Sequence, residues 1–154
     1  MSKPILKILV LLFLGVVLTG GPAGAAEGLS DQLARTGQAI LEGAEAIYQD
    51  WQSGRKPRAA VSELFSFLED KVRRFKERVG RQLRRPDLSP AEQKALAAAQ
   101  VFLGHLERLM NVLGRLIQGD SSPELKRAYR EIREKALGSL EELKESGRSD
   151  CLEA

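Results

Sequence analysis

From Leu33 to Leu143, apolar residues return every three or four positions, and the rhythm breaks only where Gly, Pro and Ser gather. That period belongs to one face of an α-helix and not to a strand, whose apolar residues alternate. The chain is therefore expected to be all-α. The first stripe is Leu33, Gly37, Ile40, Ala44, Ile47 and Trp51; the second is Val61, Phe65, Leu68, Val72, Phe75 and Val79, with Leu83 extending it. The third comprises Leu96, Ala99, Leu103, Leu106, Met110, Leu113 and Ile117, and the fourth Leu125, Tyr129, Ile132, Ala136, Leu140 and Leu143.

The breaks carry their own signals. Ser30 is placed to cap the first helix, and "SGRKP" ends it, with Gly54 as a left-handed cap. Pro57 suits the first turn of the second helix, and Pro86 stops it. Ser89, Pro90 and Glu92 spell a capping box before the third helix, and Ser122, Pro123 and Glu124 open the fourth with related chemistry. Gly119 and Gly147 are read as the stops of the third and fourth helices. The expected helices cover about 30–52, 57–85, 90–118 and 123–146, followed by a polar tail over 148–154. Matched helices of roughly 35–45 Å joined by short gaps predict an antiparallel, up-down-up-down four-helix bundle. The third helix has an apolar arc wider than 180°, adding Val101, Phe102, Leu109, Val112 and Leu116. Such a helix is expected to touch two partners or lie at the centre, with a homodimer through it as the competing explanation.

Ahead of the helices, Lys3 and Lys7 precede the apolar run "ILVLLFLGVVL", and Ala23 and Ala25 give an A-x-A pattern. Residues 1–26 read as a signal peptide cleaved near Ala25 or Ala26, which implies export to the periplasm or medium. The apolar run is shorter than a membrane-spanning helix requires, and no Cys beside the cleavage point could take a lipid. Removing Lys3 and Lys7 lowers the formal net charge from +3 to +1. Cys151 is the only cysteine, so an internal disulfide is excluded; it is either a free thiol or an intermolecular bridge.

Few residues suggest chemistry. His105 is the sole histidine and flanks the apolar arc. Phe102 stands three before it, where a di-iron bundle would need Glu, and Met110 shares its helix, so it could not supply a second haem ligand from the far side. Zinc would find one His and one distant Cys. The serines cluster at helix caps. These residues predict no enzyme, no metal and no cofactor.

What remains is "KVRRFKERVGRQLRR", residues 71–85, with eight cations against Glu77. The candidate anion- or partner-binding residues are Lys71, Arg73, Arg74, Lys76, Arg78, Arg81, Arg84 and Arg85. On a helical wheel they fill nearly the whole arc opposite Val72 and form no stripe of their own. The first helix, with Glu27, Asp31, Glu42, Glu45 and Asp50 against Arg35, is expected to complement them within the fold. Nucleic acid is excluded as a partner by export and by the lack of stacking aromatics.

One segment, "LSPAEQKAL" (Leu88–Leu96), loosely resembles the L-T-x-x-Q motif of small periplasmic helical chaperones and metal-stress proteins. Gln93 falls one place later than in that motif, and no second copy is visible. The resemblance implies that an exported helical protein of this kind can act without catalytic groups. The functional expectation is a non-enzymatic module that binds a protein partner, chaperone-like, or else an anionic membrane surface or envelope polymer through residues 71–85.

Overall fold

The computed structural model describes residues 28–153, with side chains through Arg148. The proposed signal peptide and the Cys151 side chain lie outside the described residues. Among the described residues there are four α-helices: α1 (Leu29–Ser53), α2 (Arg58–Leu83), α3 (Pro90–Ile117) and α4 (Pro123–Glu153). No strand occurs among them.

The punctuation works as local chemistry demands in most places. Ser89 Oγ accepts the Glu92 N–H at 3.1 Å, and Glu92 Oε1 accepts the Ser89 N–H at 3.2 Å, closing the capping box. Because those bonds favour the charged carboxylate, Glu92 is held below the usual carboxylate range, with the Ser89 N–H the largest cause. Ser122 caps α4 by accepting the Leu125 N–H at 3.3 Å. Gly54 takes φ 65° as the left-handed cap of α1, a conformation without penalty only for glycine.

Two boundaries differ from expectation. Gly28, not Ser30, is the N-cap of α1, and Ser30 is buried inside the first turn. Gly147 does not end α4, which continues to Glu153. The two departures meet in space. A Cβ at Gly147 would collide with Ser30 Oγ, so this glycine lets the C-terminal half of α4 approach the start of α1. The expected polar tail is therefore helical backbone through Glu153.

Cross-helix contacts show that consecutive helices run antiparallel. Arg78 late in α2 bonds Gln32 early in α1, and Phe65 early in α2 meets Gly114 late in α3. Tyr129 of α4 reaches back to Glu45 of α1. The cross-section is a rhombus: α1 and α3 touch across the short diagonal, while α2 and α4 occupy the far corners and scarcely meet. The α3–α4 contact is the most extensive.

The core follows from that arrangement. Helix α3 touches all three others and buries twelve residues, including Phe102, Leu109, Val112 and Leu116 of the widened arc. The arc is thus covered within the chain, except for Val101, which stays 53% exposed. Helix α2 buries only Val61, Leu68, Val72, Phe75 and Val79. At the α1–α4 seam, Tyr48 and Tyr129 stack with centroids 4.1 Å apart. The Tyr129 hydroxyl donates to Glu45 Oε2 at 3.1 Å, and Arg133 Nε pairs with the same oxygen at 2.9 Å. Burial first, then the Glu45 charge, pushes the Tyr129 phenol above its ordinary range, so it remains a donor.

Candidate functional site

All eight cations singled out in the sequence lie on α2 or the turn that follows it. Their placement in the C-terminal half of the helix is favourable, because positive charge there meets the negative end of the helix dipole. The fold then sorts them into three groups, Arg74 belonging to both the first and the third.

The first group is engaged inside the chain. Arg73 and Arg74 both pair with Asp70, the latter at 3.0 Å, and Lys76 reaches Glu107 of α3 at 3.3 Å. Arg85 binds the α2–α3 turn through Asp87 at 3.3 Å, Gln82 at 2.9 Å and Glu92 at 3.1 Å. The Asp87 bond is the main reason its guanidinium is raised above the ordinary value. Arg85 is thus a clasp on the turn. The second group consists of Arg84, which has no ion pair or side-chain hydrogen bond among the described residues.

The third group converges. Lys71, Arg74, Arg78 and Arg81 stand at i, i+3, i+7 and i+10, which puts them on one line of the helix. All four open into a groove of about 530 Å³ between α1 and α2, and Arg35 of α1 faces them. Ile40 and Phe75, each 2% exposed, form its floor, with Ala39 and Thr36 on the α1 wall. No carboxylate of the described residues lines it. Arg78 donates to the Gln32 amide oxygen at 2.9 Å, and the Arg81 side chain has no ion pair or hydrogen bond among the described residues. At the N-terminal end of the line, the Lys71 ammonium lies 4.9 Å from the centroid of Phe67, an aromatic ring left 63% exposed.

Among the described residues no acid of α1 pairs with an α2 cation, while Glu27 of the expected set lies outside them. Glu45 turns to Arg133 of α4, Asp50 to Lys56 of the following loop, and Glu42 to Gln38 one turn away. Helix α1 is acidic overall, but the side it presents to the α2 cations carries Gln32, Arg35, Thr36 and Ala39. Net charge per helix ignores the face on which charge sits. In the sequence Arg35 is only the one cation of an acidic helix. Its partnership with Lys71, Arg74, Arg78 and Arg81 emerges when the register of two helices is known.

A second groove, of about 570 Å³ between α2 and α3, differs in kind. Glu69 and Glu107 sit among Arg73, Lys76 and Arg115; Lys76 pairs with Glu107, and Arg73 and Arg115 pair with Asp70 and Asp120 beside the groove. No group of three or more metal-ligating side chains exists among the described residues. No described helix is long and apolar enough to cross a membrane.

His105 sits at the α3–α4 seam with its Nδ1 buried and without a hydrogen bond. Desolvation is the largest cause of a lowered pKa, followed by the nearby charges of Arg108 and Lys135, with Glu142 opposing. A proton NMR titration is expected to place its midpoint below the ordinary value of about 6.5. The unfolded chain then binds the proton more readily than the folded one. The associated stability is complete above about pH 6.5 and is lost as pH falls through the folded midpoint. A midpoint at or above the ordinary value would show that Nδ1 is solvated or partnered in solution.

No protein-family model matches the chain, and no curated protein or solved structure matches it significantly.

Proposed function

We propose that the protein is an exported, non-catalytic helical module that binds anionic lipid surfaces through the α1–α2 side of the fold. The observation that carries this reading is the line of Lys71, Arg74, Arg78 and Arg81 facing Arg35 across a groove without a carboxylate. Lys71, Arg78 and Arg81 have no carboxylate partner among the described residues and repel one another, and an anionic surface relieves that repulsion while releasing counterions. Phe67, exposed beside Lys71, gives the same face an aromatic ring suited to the headgroup boundary. The leader-like opening of the chain supports export.

A protein-interaction or chaperone-like role would rest on the wide arc of α3 and on the charged faces. That arc is covered by α1, α2 and α4. The exposed apolar residues that remain, such as Leu64 and Phe67 on α2, make a small face beside charge rather than a broad apolar platform.

The four described helices and their core lie within residues 28–153, so the chain from Glu27 onward carries all of them. Co-sedimentation of that chain with neutral and anionic vesicles, at low and physiological salt, tests the reading. Binding is expected only to anionic vesicles and is expected to weaken as salt rises. Arg81→Gln should weaken it by about fivefold, corresponding to about 1 kcal/mol per cation near the surface. Arg130→Gln, an exposed charge of α4, is expected to leave binding unchanged. Equal losses in the two variants would mean that net charge alone is sensed, and the assigned face would be wrong.

A further inference from the structure

The α1–α2 groove has a property that a purely cationic face lacks: it is an open concavity whose lining is partly apolar. We infer that it is a site for one anionic amphiphile, a molecule with a single acidic headgroup and a single alkyl chain, bound as a monomer. This deepens the lipid-surface reading and rests on it for the choice of a lipid-like occupant.

Three observations on the groove select that chemistry. Its volume of about 530 Å³ falls inside the range of about 300–1,000 Å³ typical of small-molecule sites. The lining between the cations is apolar: Ala39 is exposed there, and Ile40 and Phe75, each 2% exposed, close the base beneath it. The rim is cationic along its length: Lys71 to Arg81 covers ten residues, about 15 Å of helix. A free inorganic anion would satisfy the rim and leave the floor wet. A neutral alkyl chain would cover the floor and leave the cationic rim without a counter-charge. An amphiphile with an acidic head answers both, the head held by guanidinium groups in charge-assisted bonds and the chain laid along Ala39 and the aliphatic stems of the cationic side chains.

The guanidinium inventory matches this division of labour. The Arg81 side chain has no internal ion pair or hydrogen bond among the described residues, and Arg78 bonds the neutral Gln32 amide, so these two can turn to a headgroup without surrendering a carboxylate. Arg74 is anchored by Asp70 at 3.0 Å and fixes the wall. Ala39 offers a way to close the groove without entering the core, because it is exposed and lines the groove.

Isothermal titration of the chain from Glu27 onward with dodecyl phosphate, below its micelle concentration, tests the site. Dodecyl maltoside supplies the chain without the charge, and inorganic phosphate the charge without the chain. The expected result is one dodecyl phosphate per chain, bound at least tenfold more tightly than either control. Ala39→Trp, which fills the groove, and Ala39→Glu, which places a carboxylate among the cations, should each weaken it at least tenfold while circular dichroism stays unchanged. The inference is overturned if phosphate or maltoside binds equally well, if binding begins only with micelles, or if both Ala39 variants bind as the parent does. Should vesicle binding persist beside any of those results, the amphiphile site alone fails. Should vesicles not bind while the one-to-one complex forms, the surface reading fails and this one stands.

Discussion

Phe102→Ala is expected to lose about 3–5 kcal/mol of folding stability, a large part of the roughly 5–15 kcal/mol that a domain of this size possesses. Phe102 is fully buried on α3. One edge of its ring lies against the bare backbone of Gly37 on α1. The ring also meets Phe75 of α2 edge-on, with centroids 6.3 Å apart and planes at 81°. A single side chain thus joins three helices, and the backbone around it has little freedom to collapse into the space left behind. Urea denaturation of the two proteins measures the difference. Val101→Ala, one residue away but half exposed, should stay within about 0.5 kcal/mol. A loss below about 1 kcal/mol for Phe102→Ala would show that the three-helix junction is held elsewhere.

Gly37→Val tests the same junction from the opposite side and is expected to cost about 1–3 kcal/mol by overpacking. A Cβ at position 37 would fall 2.5 Å from Phe102 Cε1, closer than two carbons can approach. Phe75, which meets the ring edge-on, opposes its displacement. Gly104→Ala and Gly138→Ala serve as controls: a Cβ at either would meet nothing within 4 Å, and alanine should be neutral or mildly stabilising there. Combining Gly37→Val with Phe102→Leu should recover part of the loss, since the smaller residue gives up the space that the larger one needs. Thermal or urea melts of the four-member cycle would then show a coupling energy of about 0.5 kcal/mol or more. Strict additivity would mean that residues 37 and 102 do not share the contact.

These glycines also mark where a linear reading runs out. The four helices are legible because their apolar stripes are long and their starts are spelled in Ser, Pro and Glu, as at Ser89–Glu92. Gly54 and Gly147 look alike in the sequence, yet the first ends its helix and the second lies inside one. Glycine serves two opposed purposes, ending a helix or letting another backbone come close, and only a neighbour such as Ser30 tells them apart. The candidate site divides in the same way. A wheel drawn for α2 alone places the cations on the solvent side but cannot say which of them turn toward α1. Arg73 and Lys76 face α3 and its Glu107, whereas Lys71, Arg74, Arg78 and Arg81 face Arg35.

The rhombic arrangement has a consequence for motion. Helix α2 sits at a far corner, scarcely meets α4, and sinks only five residues into the interior where α3 sinks twelve. Its amide protons should therefore exchange with solvent through partial openings that leave α1, α3 and α4 closed, whereas those of α3 should await global unfolding. The part of the protein that carries the charge is thus the part most able to lift away by itself. Its hinge would be the 84–89 turn, where Arg85 grips Asp87 and Glu92.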